Sequence, residues 1–431
     1  MSSVFPALEK YGLEVHYGLA KGARFNDPAA FRRAHPYIVH AHIMDGSVGT
    51  PNSRSAAVEK LIRKIDADLV IPVAIGDALT AVRRSRISGV RSKLLVPLHS
   101  MHVGLLADVY ANADLIDCVS CVSGLQYKWC SNLFKDTNVP MLRWIRNGVR
   151  APEVRRPDGL SAKLRLGFVG RLEQLTKRVL DLPPLLDWLR TLEVPVEFTV
   201  AGDGPDRERL SDMLASLGDY HDIRMLGHLD TETIYRDVYP SIDCLLLFSP
   251  TEGAPVVISE AISHGVVPII SRYLGLASDA LLKEGETCVS FDIGDAEAAA
   301  RAVRRLSSDR LELARLSAAC LRESTQVTQL GMIDRWRDVC LEVIARDTRD
   351  VSKLVPSAQG RAMYGRLDRF GLPAGVSEVI RSIWRKPYQH ASGFDEWPGS
   401  LNTDPELQAG IGVSLRELES DSMRKWIVEN D

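Results

Sequence analysis

The run DCLLLFSPTEGAPVVISEAISHGVVPIIS, residues 243–271, holds a strand, a loop, a helix and a second strand in one short stretch. Asp243 through Phe248 is almost wholly apolar, the composition of a strand covered on both faces in a parallel sheet. Ser249, Pro250, Thr251, Glu252 and Gly253 are turn residues, and Pro255 is predicted at the first helical position, where a missing N–H costs nothing. Val256, Val257, Ile258, Ala261 and Ile262 give the helix a broad apolar face, His264 and Gly265 end it, and 266–270 reads as the next buried strand. The unit is β-α-β, so its first loop belongs at the carboxyl edge of the sheet, where open α/β folds hold ligands. Free N–H groups around the helix start, Gly253, Ala254, Pro255 and Val256 being the residues there, suit a phosphate. Glu252 on the loop and Glu260 on the helix border the same crevice.

The E-x7-E spacing in EGAPVVISE resembles that of the family 4 glycosyltransferases (glycosyl transferases group 1), a large retaining group with the GT-B fold. In those enzymes the first Glu contacts the donor sugar and the second holds the ribose hydroxyls, which by resemblance places these roles on Glu252 and Glu260. A carboxylate suits both, since its two oxygens accept hydrogen bonds from neighbouring hydroxyls. The strand 164–169 runs into Gly170 and a basic turn with Arg171 and Lys177, similar to the family's GRL...K element, whose cations grip the donor diphosphate. GDGP at 202–205 is similar to a GxGP turn and lacks the third glycine of a dinucleotide fingerprint. Gly227 ends another strand, where relatives contact the nucleobase through main chain. His99, in VPLHS, stands where family members often carry a His near the donor sugar. Gly275 and Asp279 match a later glycine-and-acid element, while Leu276 and Cys288 stand where glycine is usual.

At 431 residues the chain is long enough for two or three domains, and its 45% hydrophobic and 25% charged residues are those of a soluble globular protein. A net charge of −3 gives no electrostatic footprint for nucleic acid. No apolar run reaches membrane-spanning length, and the N-terminus lacks a signal pattern, so a cytoplasmic location, with peripheral membrane contact left open, is the expectation. Seven scattered cysteines do not make a disulfide framework. Cys118 and Cys121 form a CxxC with Cys130 nearby, but IDCVSCVSG reads as a buried strand entering a turn. His40 and His42 share a strand face, as metal ligands do, but lack a carboxylate or Cys at supporting spacing and are read as structural. Asp66 and Asp68 form a DxD that reads as a solvated cap. No metal or cofactor is expected.

The expected fold class is α/β: two Rossmann-like doubly wound domains facing a cleft, followed by crossover helices and an extension. Residues 1–155 form the acceptor-side domain, 156–330 the nucleotide-sugar domain and 331–431 the crossover helix and extension. FPALEKYG, LEVHYGL, PYIVHAHI, SAAVEKLIRKI, DADLVIPV, SKLLVPLH and LIDCVSCVS alternate helices and strands in the first. RNGVR at 146–150 is similar to a PNGV turn closing it, with Arg146 in place of proline. Family members begin with a strand and a glycine-rich loop ahead of the helix that LEKYG resembles, and that opening piece has no counterpart here. APEVRRPDGL at 151–160 reads as the linker. MIDRWRDVCLEVIAR, with Trp336, is similar to the helix that crosses back to the first domain. Trp384, Trp397 and Trp426 suggest that the extension packs on the body, and it is also where a partner protein would bind.

The resemblance implies a metal-independent retaining glycosyltransferase using a nucleotide-diphosphate sugar and an acceptor such as a cell-surface glycan or lipid-linked chain. Two alternatives stand beside it: a catalytically weak GT-B binding or partner subunit, and a nucleotide-sugar epimerase.

Overall fold

In the computed structural model the described residues are 4–22, 26–46, 50–135, 140–154, 162–347, 397–402 and 404–430, with single positions 376, 380 and 383. They fall into two compact units. The first holds 1–121, 129–145 and 333–414, and the second holds 122–128, 146–332 and 415–431. Trp384 and most of the linker lie outside the described residues.

The second unit is built on six parallel strands: β7 (Leu164–Val169), β8 (Val196–Ala201), β9 (Asp222–Gly227), β10 (Cys244–Leu247), β11 (Val267–Ser271) and β12 (Val289–Phe291). They lie in the order β12-β11-β10-β7-β8-β9, which is the 3-2-1-4-5-6 arrangement of a Rossmann sheet. β10 and β11 are buried at every position, as their continuous apolar runs predict, whereas the edge strand β9 alternates between exposed and half-buried residues. Asp243 lies one residue ahead of β10 and is fully buried. It takes Arg165 in a two-pronged pair, with Nη2 at 2.8 Å from Oδ1 and Nε at 3.2 Å from Oδ2. The Arg165 amide also donates to Oδ2, at 2.9 Å. The aspartate that opens the apolar run therefore pins β10 to β7 at the centre of the sheet, beneath the functional edge.

The first unit holds two parallel sheets. β1 (Tyr17–Lys21) pairs with β2 (Ala41–Asp45), and β3 (Leu69–Val70), β4 (Lys93–Leu98), β5 (Cys118–Cys121) and β6 (Met141–Trp144) follow in sequence order. The sequence predicts one doubly wound sheet; instead DADLVIPV yields only the two residues of β3, which bond to β4 alone. β6, the four residues MLRW, is too short to stand out as a strand, and its pairing with β5 defines it. Asp117, one residue before β5, repeats the device of Asp243, pairing with the buried Arg86 and accepting from the Leu94 amide at 2.7 Å. Cys118 and Cys121 lie three apart on one strand and so point to opposite faces, and both are buried; burial pushes the Cys118 thiol up to about 12. Asp66 is exposed and caps the helix Pro51–Ile65 in the left-handed region, at φ 49°.

The tail is shared between the units. Trp336, on the helix Gln329–Ala345, meets Phe5 edge to face at 5.4 Å in the first unit. There Trp397 is buried, and Asp108 accepts the amides of Leu401 and Asn402, both at 2.9 Å. Burial pushes the Asp108 carboxyl up to about 6 against these bonds. The final helix, Pro405–Asn430, gives its last turns to the second unit, where Trp426 enters the core and donates Nε1–H to Leu282 O at 2.9 Å.

Candidate functional site

The strand order of the second unit reverses between β7 and β10, and the loops leaving their carboxyl ends flank the crevice that such a reversal opens. After β7 the chain passes Gly170 and Arg171 into the short helix Gln174–Lys177. Neighbouring backbone holds this loop in place. Gly170 N donates to Ala201 O at 3.0 Å, Leu172 N to Asp203 O at 2.9 Å, and Asp206 accepts Gln174 N at 2.7 Å. The two glycines of GDGP are required by this approach. A Cβ on Gly202 would lie 1.8 Å from Gly170 O, and one on Gly204 would lie 2.3 Å from Leu172 O. Gly227, left-handed at φ 70°, closes the row by accepting the Gly202 amide at 2.8 Å.

After β10 the chain enters the loop carrying Glu252. Leu274 N donates to Pro250 O at 3.0 Å, and Glu252 N donates to Leu274 O at 3.4 Å. Gly275, at φ 111°, lets the two loops touch, because a Cβ there would sit 2.8 Å from Glu252 O. Pro255 is the N-cap of the helix Val256–Ser263 rather than its first residue: its ψ of 112° is extended, so the helix starts one position later than the sequence predicts. Ile258 N donates to Pro255 O at 3.0 Å, while the amides of Val256 and Val257 precede any helical acceptor, the position that suits an anion. Asn147 steadies this turn by donating Nδ2–H to Ala254 O at 3.1 Å.

The basic loop and the acidic loop meet. Lys177 Nζ lies 2.5 Å from Glu252 Oε1, with side chains 25% and 12% exposed. Arg171 shares the lysine's loop but is exposed, 3.6 Å from Glu173. Glu260 is rooted deeper and accepts the Tyr239 hydroxyl at 2.6 Å. Burial raises its pKa, and hydrogen bonds from Tyr239 and Tyr235 with the charge of Arg150 oppose the rise. The surroundings are aromatic. Tyr239 stacks on His264 at 4.8 Å, and Arg150 lies 5.1 Å from the Tyr235 ring centroid. The final helix contributes a residue that no local pattern marks. Glu419 is buried, and it accepts Ala277 N at 2.9 Å and the Ser278 hydroxyl at 3.4 Å. Lys128 Nζ reaches Ser278 Oγ at 3.2 Å and Ser422 Oγ at 3.0 Å. Glu419 thus ties down the loop that backs Glu252. Asp279 lies on the same loop, its carboxyl pushed up by burial against the charge of Arg146, 3.9 Å away.

His99 belongs to the first unit, where it is exposed at the end of β4, with Nδ1 3.3 Å from Pro97 O. His102 has a structural task, accepting Gly104 N at 3.2 Å as N-cap of the helix Val103–Ala111. The second unit therefore brings together Lys177 and Glu252, with Arg171 and the helix start on the flanking loops and Glu260 on the helix itself. The sequence does not disclose Asn147, Tyr239 or Glu419 as their supports.

Comparison with known proteins bears on the fold and on one segment of the chain. Residues 153–320 match the family model of glycosyl transferases group 1. The chain resembles an exopolysaccharide phosphotransferase of Streptomyces coelicolor, 25% identical over 178 residues that are 40% of this chain and 18% of that one. It also resembles a glycogen synthase of Mycobacterium tuberculosis, 30% identical over 165 residues, 37% of this chain and 39% of that one. The matches thus span less than half the length of these curated relatives. Among solved structures, Anabaena HepE in complex with UDP aligns with a TM-score of 0.59 and 15% identity, over 75% of this chain and 91% of that one. Sheet order and structural likeness are those of the GT-B fold, and the segment similar to glycosyl transferases group 1 is the one that builds the Rossmann sheet of the second unit.

Proposed function

We propose that the chain transfers a sugar from a nucleoside-diphosphate sugar to an acceptor hydroxyl, with retention at the anomeric carbon and without a metal ion. The observation that carries this reading is the Lys177–Glu252 pair at the switch point of the Rossmann sheet, beside a helix start. The co-crystallised UDP of HepE makes uridine nucleotides the first candidates.

In this reading Glu260 holds the ribose hydroxyls and Gly227 lies by the base. Arg171, Lys177 and the turn from Gly253 to Val256 hold the diphosphate. As the bond between the anomeric carbon and the phosphate oxygen breaks, negative charge gathers on the departing diphosphate, and the two fixed cations stabilise it. Positive charge grows on the sugar ring, where the Glu252 carboxylate orients and stabilises it. The acceptor oxygen attacks from the face the diphosphate leaves, and its proton passes to a phosphate oxygen of the leaving group. Glu252 is a positioning and electrostatic group here, unlike the covalent nucleophile of a retaining glycosidase.

The test is turnover of a panel of uridine, guanosine and adenosine diphosphate sugars, in EDTA, with the anomeric configuration followed by NMR. Release of the nucleoside diphosphate with retention is expected for one of them. Tight UDP binding without turnover would instead identify a binding subunit, and turnover abolished by EDTA and restored by manganese would refute metal independence.

A further inference from the structure

Three histidines and a glutamate that take no part in the donor site converge on one corner of the first unit. β1 and β2 run parallel with Tyr17 opposite Ala41 and Gly18 opposite His42, and Tyr17 N donates to His40 O at 2.7 Å. This register sets His16, one residue ahead of β1, beside His40 and His42, which share a face of the neighbouring chain. His16 Nδ1 lies 2.9 Å from His42 Nε2, with the ring planes 15° from parallel. Its other nitrogen, Nε2, lies 2.8 Å from Glu14 Oε1. The His40 ring is centred 4.8 Å from that of His16. One ligand atom each from Glu14, His16 and His40 falls within 4.8 Å of the others.

The sequence offers no carboxylate at supporting spacing to the His-Ala-His pair; the parallel register supplies one, together with a third imidazole. Tetrahedral zinc with bonds of about 2.0–2.1 Å needs ligand atoms about 3.3 Å apart. Some separations here lie on either side of that value, so closing on an ion takes side-chain rotation rather than backbone movement. Two imidazoles with one carboxylate favour a borderline transition metal over magnesium or calcium, which prefer all-oxygen sets. The hydrogen bond to His42 fixes the orientation of His16 through its second nitrogen, as an outer partner of a metal-bound imidazole does. Arg32 and Lys64 lie near His42 as like charges, and Arg32 Nη2 is engaged with Ala41 O at 2.7 Å. The cluster sits at the amino ends of β1 and β2, whereas open α/β sheets hold their ligands at the carboxyl ends.

We propose that Glu14, His16 and His40 are the three protein ligands of a zinc-type divalent metal site, with His42 as the positioning partner of His16. The fourth position is left to water, and the ion clamps the segment before β1 onto β2. The proposal stands on geometry alone and is independent of the proposed transfer reaction.

The experiment is calorimetric titration of the chelator-treated full chain with zinc chloride, repeated with cobalt chloride followed by visible absorption. One zinc per chain and a cobalt d–d band of low coordination number are expected. Both should be lost in the His16→Asn/His40→Asn double variant, and His42→Asn should retain the site with affinity lowered roughly 10- to 100-fold. Melting in EDTA checks that the variants are folded, and added zinc should raise the melting temperature of the unmutated chain and, less strongly, of His42→Asn, but not of the double variant. Absence of stoichiometric binding, or binding unchanged in the double variant, would overturn the proposal.

Discussion

The Lys177–Glu252 contact makes Glu252→Gln a demanding test of the proposed donor site. Lys177 is held 2.5 Å from a carboxylate, and it must leave that partner, or share itself, to engage a diphosphate. The neutral amide removes the competitor. An exposed ion pair contributes up to about 1 kcal/mol, and breaking a buried one costs about 3–5 kcal/mol. With side chains 25% and 12% exposed, this pair falls between those limits. We take about 1–2 kcal/mol after solvent screening, so the substitution should tighten UDP binding by about five- to thirtyfold. Turnover should move the other way. Loss of the carboxylate that faces positive charge on the sugar should lower kcat by about a hundredfold or more, at least about 2.7 kcal/mol of transition-state stabilisation. Glu260→Gln serves as the contrast, because ribose hydroxyls do not change during reaction, and it should mainly raise KM. Calorimetric titration with UDP and steady-state kinetics on both variants give the answer. If Glu252→Gln bound UDP no more tightly, the competition for Lys177 would be wrong; if it turned over normally, so would the role of Glu252.

Glu419→Ala should leave the Ala277 amide and Ser278 hydroxyl without their acceptor, costing about 1–3 kcal/mol in urea unfolding and lowering kcat more than UDP affinity, with Glu419→Gln giving partial rescue. Trp426→Ala empties part of the second unit's core and should cost about 3–5 kcal/mol, read as a fall in the urea midpoint. Gly202→Ala, whose Cβ would meet Gly170 O at 1.8 Å, should displace the basic loop and weaken UDP binding at least about tenfold, whereas Gly218→Ala, which meets open space, should leave binding unchanged. Asp108 has its folded pKa raised from 3.8 to about 6, so the folded state holds the proton more tightly. Its contribution to stability is therefore full below about pH 4 and lost as pH rises through about 6, a loss of about 1–3 kcal/mol. Urea midpoints at pH 4.5 and 7 should differ less in Asp108→Asn than in the unmutated chain.

The β-α-β unit at 243–271 was legible in the sequence because its evidence is local: an apolar run for a doubly covered strand, turn residues, then apolar residues at helical spacing. The same locality exposed β4, β5, β7, β8 and β11, while Glu252, Glu260, Arg171 and Lys177 were marked by the resemblance of their motifs to the family 4 glycosyltransferases. Tertiary structure decided whatever depends on contacts between distant residues. Lys177 and Glu252 are 75 positions apart, and only the 3-2-1-4-5-6 order brings their loops together. The glycines of GDGP read as a turn, but their necessity lies in the carbonyls of Gly170 and Leu172, which the parallel pairing of β7 with β8 presses against them. Pro255 moved by one position because its extended ψ keeps it outside the helix. Glu419 sits in an ordinary helical pattern and acquires its meaning from a loop 142 residues away. The same holds for Glu14 and His16: the residues are plain in the sequence, but the register of β1 on β2 sets them beside His40 and His42, because pairing across strands is not written in either strand's own periodicity.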